Sequence, residues 1–204
     1  MIAIIDYGMG NLRSVEKAFE SLGASCAILS SPVSLPERAG VVLPGVGAFG
    51  AAMRNLESGG WVDWIRETVA AGTPFLGICL GHQLLFSESE EGGIFSGLGL
   101  FPGRVVMLPS SVRIPHMGWN RLHLIGTTPL FTGIPEGSFV YFVHSYYVEP
   151  EDPAVVAATA SYGVEFAASV GRKNVFGVQF HPEKSQAVGL RILKNFLDVV
   201  NGKA

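Results

Sequence analysis

The chain has 204 residues, 48% of them hydrophobic and only 15% charged, against roughly 25% charged in an ordinary soluble domain. That excludes a disordered chain and leaves enough apolar material for one core, so residues 1–204 are expected to form a single domain. Fourteen Lys and Arg against 17 Asp and Glu give a formal charge of −3, and with no basic run to neutralise phosphates nucleic acid is not an expected partner.

The elements follow in chain order. Residues 2–5 read as a buried strand; four apolar residues followed by Asp6, with no basic stretch before them, do not make a targeting signal. Residues 12–22 carry Leu12, Val15, Phe19 and Leu22 at helical spacing, and 25–29 and 41–43 read as further buried strands. Trp61, Trp64, Ile65 and Val69 put one apolar face on a helix over 61–71, and 74–78 is the next strand. The uncharged stretch 68–87 is 20 residues long, nominally a membrane span. Gly72, Pro74, Gly77, Gly81, His82 and Gln83 make it instead a strand, a turn and a helix start, and no membrane segment is expected.

From residue 98 onward the strand-like runs 103–108, 139–148, 155–160 and 165–170 are separated by turn residues with no helix between them. Another strand, 175–180, and a helix over 187–200 close the chain. The pattern predicts an α/β fold: a central, mainly parallel sheet flanked by helices, with an antiparallel strand extension in the second half. Without a secretory signal the chain is expected in the cytoplasm, with Cys26 and Cys79 as free thiols and Cys26, inside an apolar run, as core.

Chemistry concentrates at Gly77-Ile78-Cys79-Leu80-Gly81. A Gly-x-Cys-x-Gly turn between a buried strand and a helix has the layout of a nucleophile elbow, with sulfur in place of the serine oxygen. Such a turn presents Cys79 at a helix N-terminus, where the dipole favours a thiolate, and aims the Leu80 N–H at a developing oxyanion. A strand-end cysteine serving as a small hydrophobe is the plain alternative. Of the five histidines, His82, His116, His123, His144 and His181, the last is best placed as a base. His181 ends a strand ahead of Pro182, so the chain is expected to stay extended and to bring Glu183, two residues on, to the same side as the ring. No two histidines or cysteines stand at metal-ligand spacing on one element, and neither a metal nor a cofactor is expected.

Gly77-Ile78-Cys79-Leu80-Gly81-His82-Gln83-Leu84-Leu85 and Gly177-Val178-Gln179-Phe180-His181-Pro182-Glu183 resemble the two signatures of the class I, or triad-type, glutamine amidotransferases. Pro44-Gly45-Val46-Gly47 is similar to that family's oxyanion segment. The resemblance runs nearly end to end. It implies a glutaminase with Cys79, His181 and Glu183 as its triad, glutamine as substrate, and an oxyanion held by Leu80 and by a donor from Gly45-Val46-Gly47, either Val46 or Gly47. It further implies that Gln83 and the backbone of His144, Ser145 and Tyr146 grip the amino-acid end of glutamine.

Three more segments, Asp6 to Leu12, His116 to Asn120 and Tyr141 to Tyr146, together with Lys184-Ser185, are similar to a branch of the family whose glutaminases pass ammonia to a separate (β/α)8-barrel cyclase. A face carrying Met9, Asn11, Trp119, Tyr141 and Lys184 is expected to dock on that cyclase, with Trp119 as a largely buried aromatic anchor. Three other readings remain open at this stage: the same ammonia feeding a different synthase, a non-catalytic subunit, and a cysteine hydrolase acting alone on γ-glutamyl compounds.

Overall fold

Strands covered on both faces need apolar residues at every position rather than at alternate ones. Ile2–Ile5 (β1) satisfies this along its whole length. In the computed structural model, which describes residues 1–203, helix Leu12–Ser21 (α1) leads from β1 to Cys26–Leu29 (β2). Gly40–Gly45 (β3), helices Phe49–Ser58 (α2) and Trp61–Ala70 (α3), and Phe75–Cys79 (β4) follow. β3 and β4 are also buried at every residue. β2 is only half-buried throughout, because it is the outer strand of the sheet. This corrects the expectation for Cys26, which lies at an edge rather than in the core.

A single turn of helix, Leu80–Gln83 (α4), follows β4, and the chain then re-enters strands: Phe86–Ser89 (β5), Phe95–Ser96 (β6), Phe101–Met107 (β7), His116–Arg121 (β8) and His123–Leu124 (β9). Phe139–His144 (β10) and Tyr146–Pro150 (β11) replace the single strand expected over 139–148; the chain breaks at Ser145 and its halves join different sheets. Val156–Ser161 (β12), Glu165–Arg172 (β13), Val175–Val178 (β14) and helix Gln186–Val200 (α5) complete the chain. The large sheet has the order β2-β1-β3-β4-β14-β13-β12-β9. It is parallel from β2 to β14 and antiparallel from there to β9, so the predicted antiparallel extension is present. β10 and β8 form a separate ribbon, and β11-β7-β5-β6 a third, mixed sheet.

Alternate residues of the central strands pack to opposite faces. Ile2, Ile4, Val42 and Leu76 meet Val15 and Phe19 of α1 and Ile192 and Phe196 of α5. Ala3, Ile5, Val41, Leu43 and Phe75 meet Phe49, Met53 and Leu56 of α2 and Trp61 and Ile65 of α3. Helix α2 is an element the sequence reading lacks, although Phe49, Ala52, Met53 and Leu56 stand at helical spacing and are buried. With both faces occupied by helices, the carboxyl ends of β3, β4 and β14 are where side chains converge into a crevice, the usual ligand position in open parallel sheets.

Candidate active site

Cys79 closes β4 with φ 56° and ψ −110°, a backbone state that non-glycine residues avoid. Such strain costs on the order of 1–3 kcal/mol and persists only where the surroundings enforce it. Two glycines do so. A Cβ at Gly81 would strike the Leu43 carbonyl of β3, and one at Gly77 would strike the Gly81 backbone, so the turn folds tightly on itself and on the neighbouring strand. The helix behind the elbow is shorter than expected. Leu84, Leu85 and Phe86 are all fully buried, and three successive buried residues exceed one helical face, so the chain leaves the helix after α4. The dipole of a full helix is therefore absent at Cys79; the unpaired N–H groups of one turn remain, that of Leu80 first.

His181 is the third residue after β14 and is extended (φ −97°, ψ 96°), but Pro182–Lys184 then forms a turn of 3₁₀ helix. The extended path predicted across Pro182 is thus corrected. It is the tight turn that carries Glu183 back over the ring. His181 Nδ1–H donates to Glu183 Oε1 at 2.8 Å, with the two side chains only 3% and 1% exposed. Burial alone would lower the His181 pKa, but Cys79 and Glu183 outweigh it and raise the imidazole to about 9. The opposite nitrogen, Nε2, makes no hydrogen bond among the described residues. The Cys79 thiol turns instead to the Val143 carbonyl at 3.8 Å and receives Gln179 Nε2 at 3.9 Å. Cys79 and His181 are neighbours close enough for each to act on the other's charge.

Above them opens a cavity of about 350 Å³. Val46, Gly47, Leu80 and Gln83 wall one side, and Val143, His144, Ser145 and Tyr146 another. Nearly all the predicted glutamine-binding residues are therefore gathered around Cys79 and His181. Gly45 is the exception: buried in β3, it faces the Tyr7 hydroxyl and Leu80 rather than the cavity. Val46, by contrast, is 45% exposed, and Gly47 has φ 98°.

Two polar groups at this site escape the sequence reading. Glu91 lines the cavity and accepts the Phe49 N–H at 2.7 Å, capping α2; it lies in the turn between β5 and β6, where no strand is predicted. The Tyr7 hydroxyl is buried without a partner among the described residues, and desolvation followed by the nearby Cys79 pushes its pKa up, so it remains a neutral donor. Among the described residues no group of three or more His, Cys, Asp or Glu is arranged to hold a metal.

The expected docking residues fall in two clusters. Trp119 and Tyr141 pair across β8 and β10 with ring centroids 6.1 Å apart. Tyr141 is tied to the histidine loop: its carbonyl accepts the His181 N–H at 2.9 Å, and its N–H donates to Ser185 Oγ, also at 2.9 Å. Lys184, exposed, lies between those two residues. Met9 sits apart, against Gly47, and Asn11 begins α1, which packs on the Pro182–Lys184 turn. Trp119 is 46% exposed, which corrects its reading as largely buried, and Met117 beside it is 63% exposed.

The family model for glutamine amidotransferase class-I matches residues 3–200. A relative from Syntrophotalea carbinolica named imidazole glycerol phosphate synthase subunit HisH is 56% identical over 206 residues, covering 98% of this chain and 100% of its own. One of the same name from Moorella thermoacetica is 55% identical over 199 residues, covering 98% and 95%. Among solved structures, a glutamine amidotransferase superposes with a TM-score of 0.77 at 19% identity, covering 98% of this chain and 100% of that one. PurLQS from Thermotoga maritima gives 0.75 at 20% identity, covering 97% of each. At those identities the structures speak to the fold alone.

Proposed function

The chain belongs to the class I glutamine amidotransferase family, and from that premise we propose that it is the glutaminase subunit of an imidazole glycerol phosphate synthase, the name its relatives carry. Glutamine occupies the cavity with its amino-acid end against Gln83 and the backbone of His144, Ser145 and Tyr146. Glu91, a carboxylate in the lining, faces its ammonium group. The Cys79 thiolate attacks the carboxamide carbon, and the oxyanion is held by the Leu80 N–H and by that of Val46 or Gly47. With its pKa raised to about 9, His181 is protonated at neutral pH and hands its proton to the departing ammonia. It then takes a proton from the water that hydrolyses the thioester, while Glu183 holds Nδ1–H throughout. Glutamate and ammonia leave, and ammonia must reach its acceptor before solvent protonates it.

That requirement assigns the chain a partner, a separate (β/α)8-barrel cyclase of histidine biosynthesis, met in the cytoplasm through the face bearing Met9, Asn11, Trp119, Tyr141 and Lys184. The observation that carries the reading is the strained Cys79 beside a buried His181–Glu183 pair, with Cys79 and His181 opening on one small cavity. The test is glutamine hydrolysis by the complex. Cys79→Ala abolishes it, by about three orders of magnitude or more; turnover above roughly one hundredth of the parent's removes Cys79 as nucleophile. Full turnover by the isolated chain, unchanged by a cyclase and its ribonucleotide, replaces the subunit reading with a hydrolase acting alone.

A further inference from the structure

The β8–β10 ribbon has two faces of opposite character. Met117 and Trp119 point outward, whereas His116 and His144, paired in register, point inward and are buried. A line of short contacts runs through them. His144 Nδ1 lies 2.9 Å from the Tyr146 carbonyl, His144 Nε2 lies 2.9 Å from His116 Nδ1, and His116 Nε2 lies 3.3 Å from Asn120 Nδ2.

Asn120 fixes the direction of this line. Its Oδ1 accepts the Arg121 N–H at 2.8 Å and its Nδ2 donates to the Ser161 carbonyl at 2.9 Å, so the group facing His116 is a donor. His116 Nε2 therefore accepts, His116 Nδ1–H donates to His144 Nε2, and His144 Nδ1–H donates to the Tyr146 carbonyl. Only two neutral rings complete this pattern; a second proton on either sets two N–H groups head to head. Burial favours that state, lowering His116 to about 4 and His144 to about 3. The titratable groups facing the pair are Tyr162, stacked on His116 at 4.1 Å, and His181 and His82 on the side of His144. Among the described residues no carboxylate perturbs either ring.

The line ends at the cavity. The Tyr146 carbonyl also accepts Gln83 Nε2 at 2.8 Å, Gln83 Nε2 donates to Gln179 Oε1 at 3.0 Å, and Gln179 Nε2 approaches the Cys79 sulfur at 3.9 Å. His116 and Asn120 do not line the cavity themselves. We propose that His116 and Asn120 are positioning residues of the glutaminase: the line of neutral imidazoles they begin holds the wall at residues 144–146 in the shape that grips glutamine, and ties it to the outward face of the ribbon. This rests on the reading of that wall as the glutamine site given above.

The experiment is glutamine turnover by the complex with the cyclase. His116→Phe keeps the aromatic stack with Phe142 and Tyr162 but removes the Nδ1 donor. It raises KM for glutamine about tenfold while kcat stays within about threefold, the signature of lost binding rather than lost chemistry. His116→Asn, whose amide N–H takes the place of Nδ1–H, restores KM to within about threefold of the parent. Asn120→Asp supplies a pH signature. The new carboxylate draws the single ring proton to Nε2 and breaks the line at about pH 8; as pH falls toward 6 the ring gains a second proton, both nitrogens donate, and the KM gap to the parent closes. An unchanged KM in His116→Phe overturns the proposal, as does failure of His116→Asn to rescue, or a KM ratio for Asn120→Asp that is flat in pH. Loss of folded protein without the KM pattern means a purely structural role and overturns it too. If the parent complex hydrolyses glutamine through Cys79 while these patterns fail, only the positioning role falls; if it does not, the functional reading falls first.

Discussion

His82 stands in α4 immediately after the elbow with a side chain 0% exposed and neither ring nitrogen hydrogen-bonded among the described residues. Its ring packs edge-on to Phe86 with centroids 5.8 Å apart and lies against Gly177, where a Cβ would strike Nδ1. Burial first, and His144 second, lower its pKa to about 3, against 6.5 ordinarily. Because the folded value lies below the unfolded one, the unfolded chain carries an extra proton between those two pH values. The stability this neutral ring allows is complete above pH 6.5 and drains away as the solution is acidified.

The magnitude follows at about 1.4 kcal/mol per pH unit. Between pH 7 and pH 5 this single residue should cost the fold about 2 kcal/mol. His82→Leu removes that titration and also a buried group with unmet hydrogen bonds, a gain of roughly 1–3 kcal/mol at pH 7. Urea unfolding at both pH values, with m-values compared, measures the two effects separately. The leucine variant should be the more stable at pH 7, and its lead should widen by about 2 kcal/mol at pH 5. Parallel loss of stability in the two proteins on acidification would refute the neutral, buried imidazole. A leucine variant less stable at pH 7 would mean that the ring makes hydrogen bonds the structure does not contain.

Glu183→Gln should lower glutamine turnover less than His181→Ala, because Glu183 accepts from Nδ1 and orients the ring while His181 moves the protons; equal losses in steady-state assays of folded variants would reverse the roles. A glutamine-like chloroketone should label Cys79 and spare Cys26, whose thiol is pushed up to about 11 by burial and by Glu20 and Glu16; peptide mapping reads the outcome. Trp119→Ala should weaken cyclase binding by tenfold or more, on the order of 1–2 kcal/mol as for an aromatic anchor, and Lys184→Ala by less. Titration calorimetry that finds parent affinity in both removes this face as the interface.

The central strands were legible because burial on two faces leaves one signature, an unbroken apolar run, and Ile2–Ile5 shows it without interruption. Helix α2 carried the same quality of signal in Phe49, Ala52, Met53 and Leu56, yet the glycines at 45 and 47 ahead of it and Gly50 in its first turn resemble a loop. The short α4 was beyond local reading. Nothing in Leu84-Leu85-Phe86 says that all three will be buried in one core, and only that packing ends the helix. The break at Ser145 is likewise a tertiary event, since Phe139–His144 and Tyr146–Pro150 are both good strands and differ only in the partner each finds.

At the site, Cys79 and His181 were legible from neighbouring glycines and proline, residues whose steric demands are local. Glu91 was not, because a carboxylate in a turn acquires its meaning only from the cavity that folding wraps around it. β8 failed for a more telling reason. A half-buried strand is recognised by apolar residues facing in and polar ones facing out, and in His116–Arg121 the order is inverted: His116 and Asn120 face in, Met117 and Trp119 face out. Each half of that inversion costs stability by itself, the imidazole through desolvation and the exposed indole through hydration of apolar surface. Both halves make sense together when the outer row meets a partner and the inner row is hydrogen-bonded to the glutamine wall. On the two proposals made above, a strand that violates the rule of its own periodicity on both faces is where binding outside and geometry inside are joined by one piece of backbone.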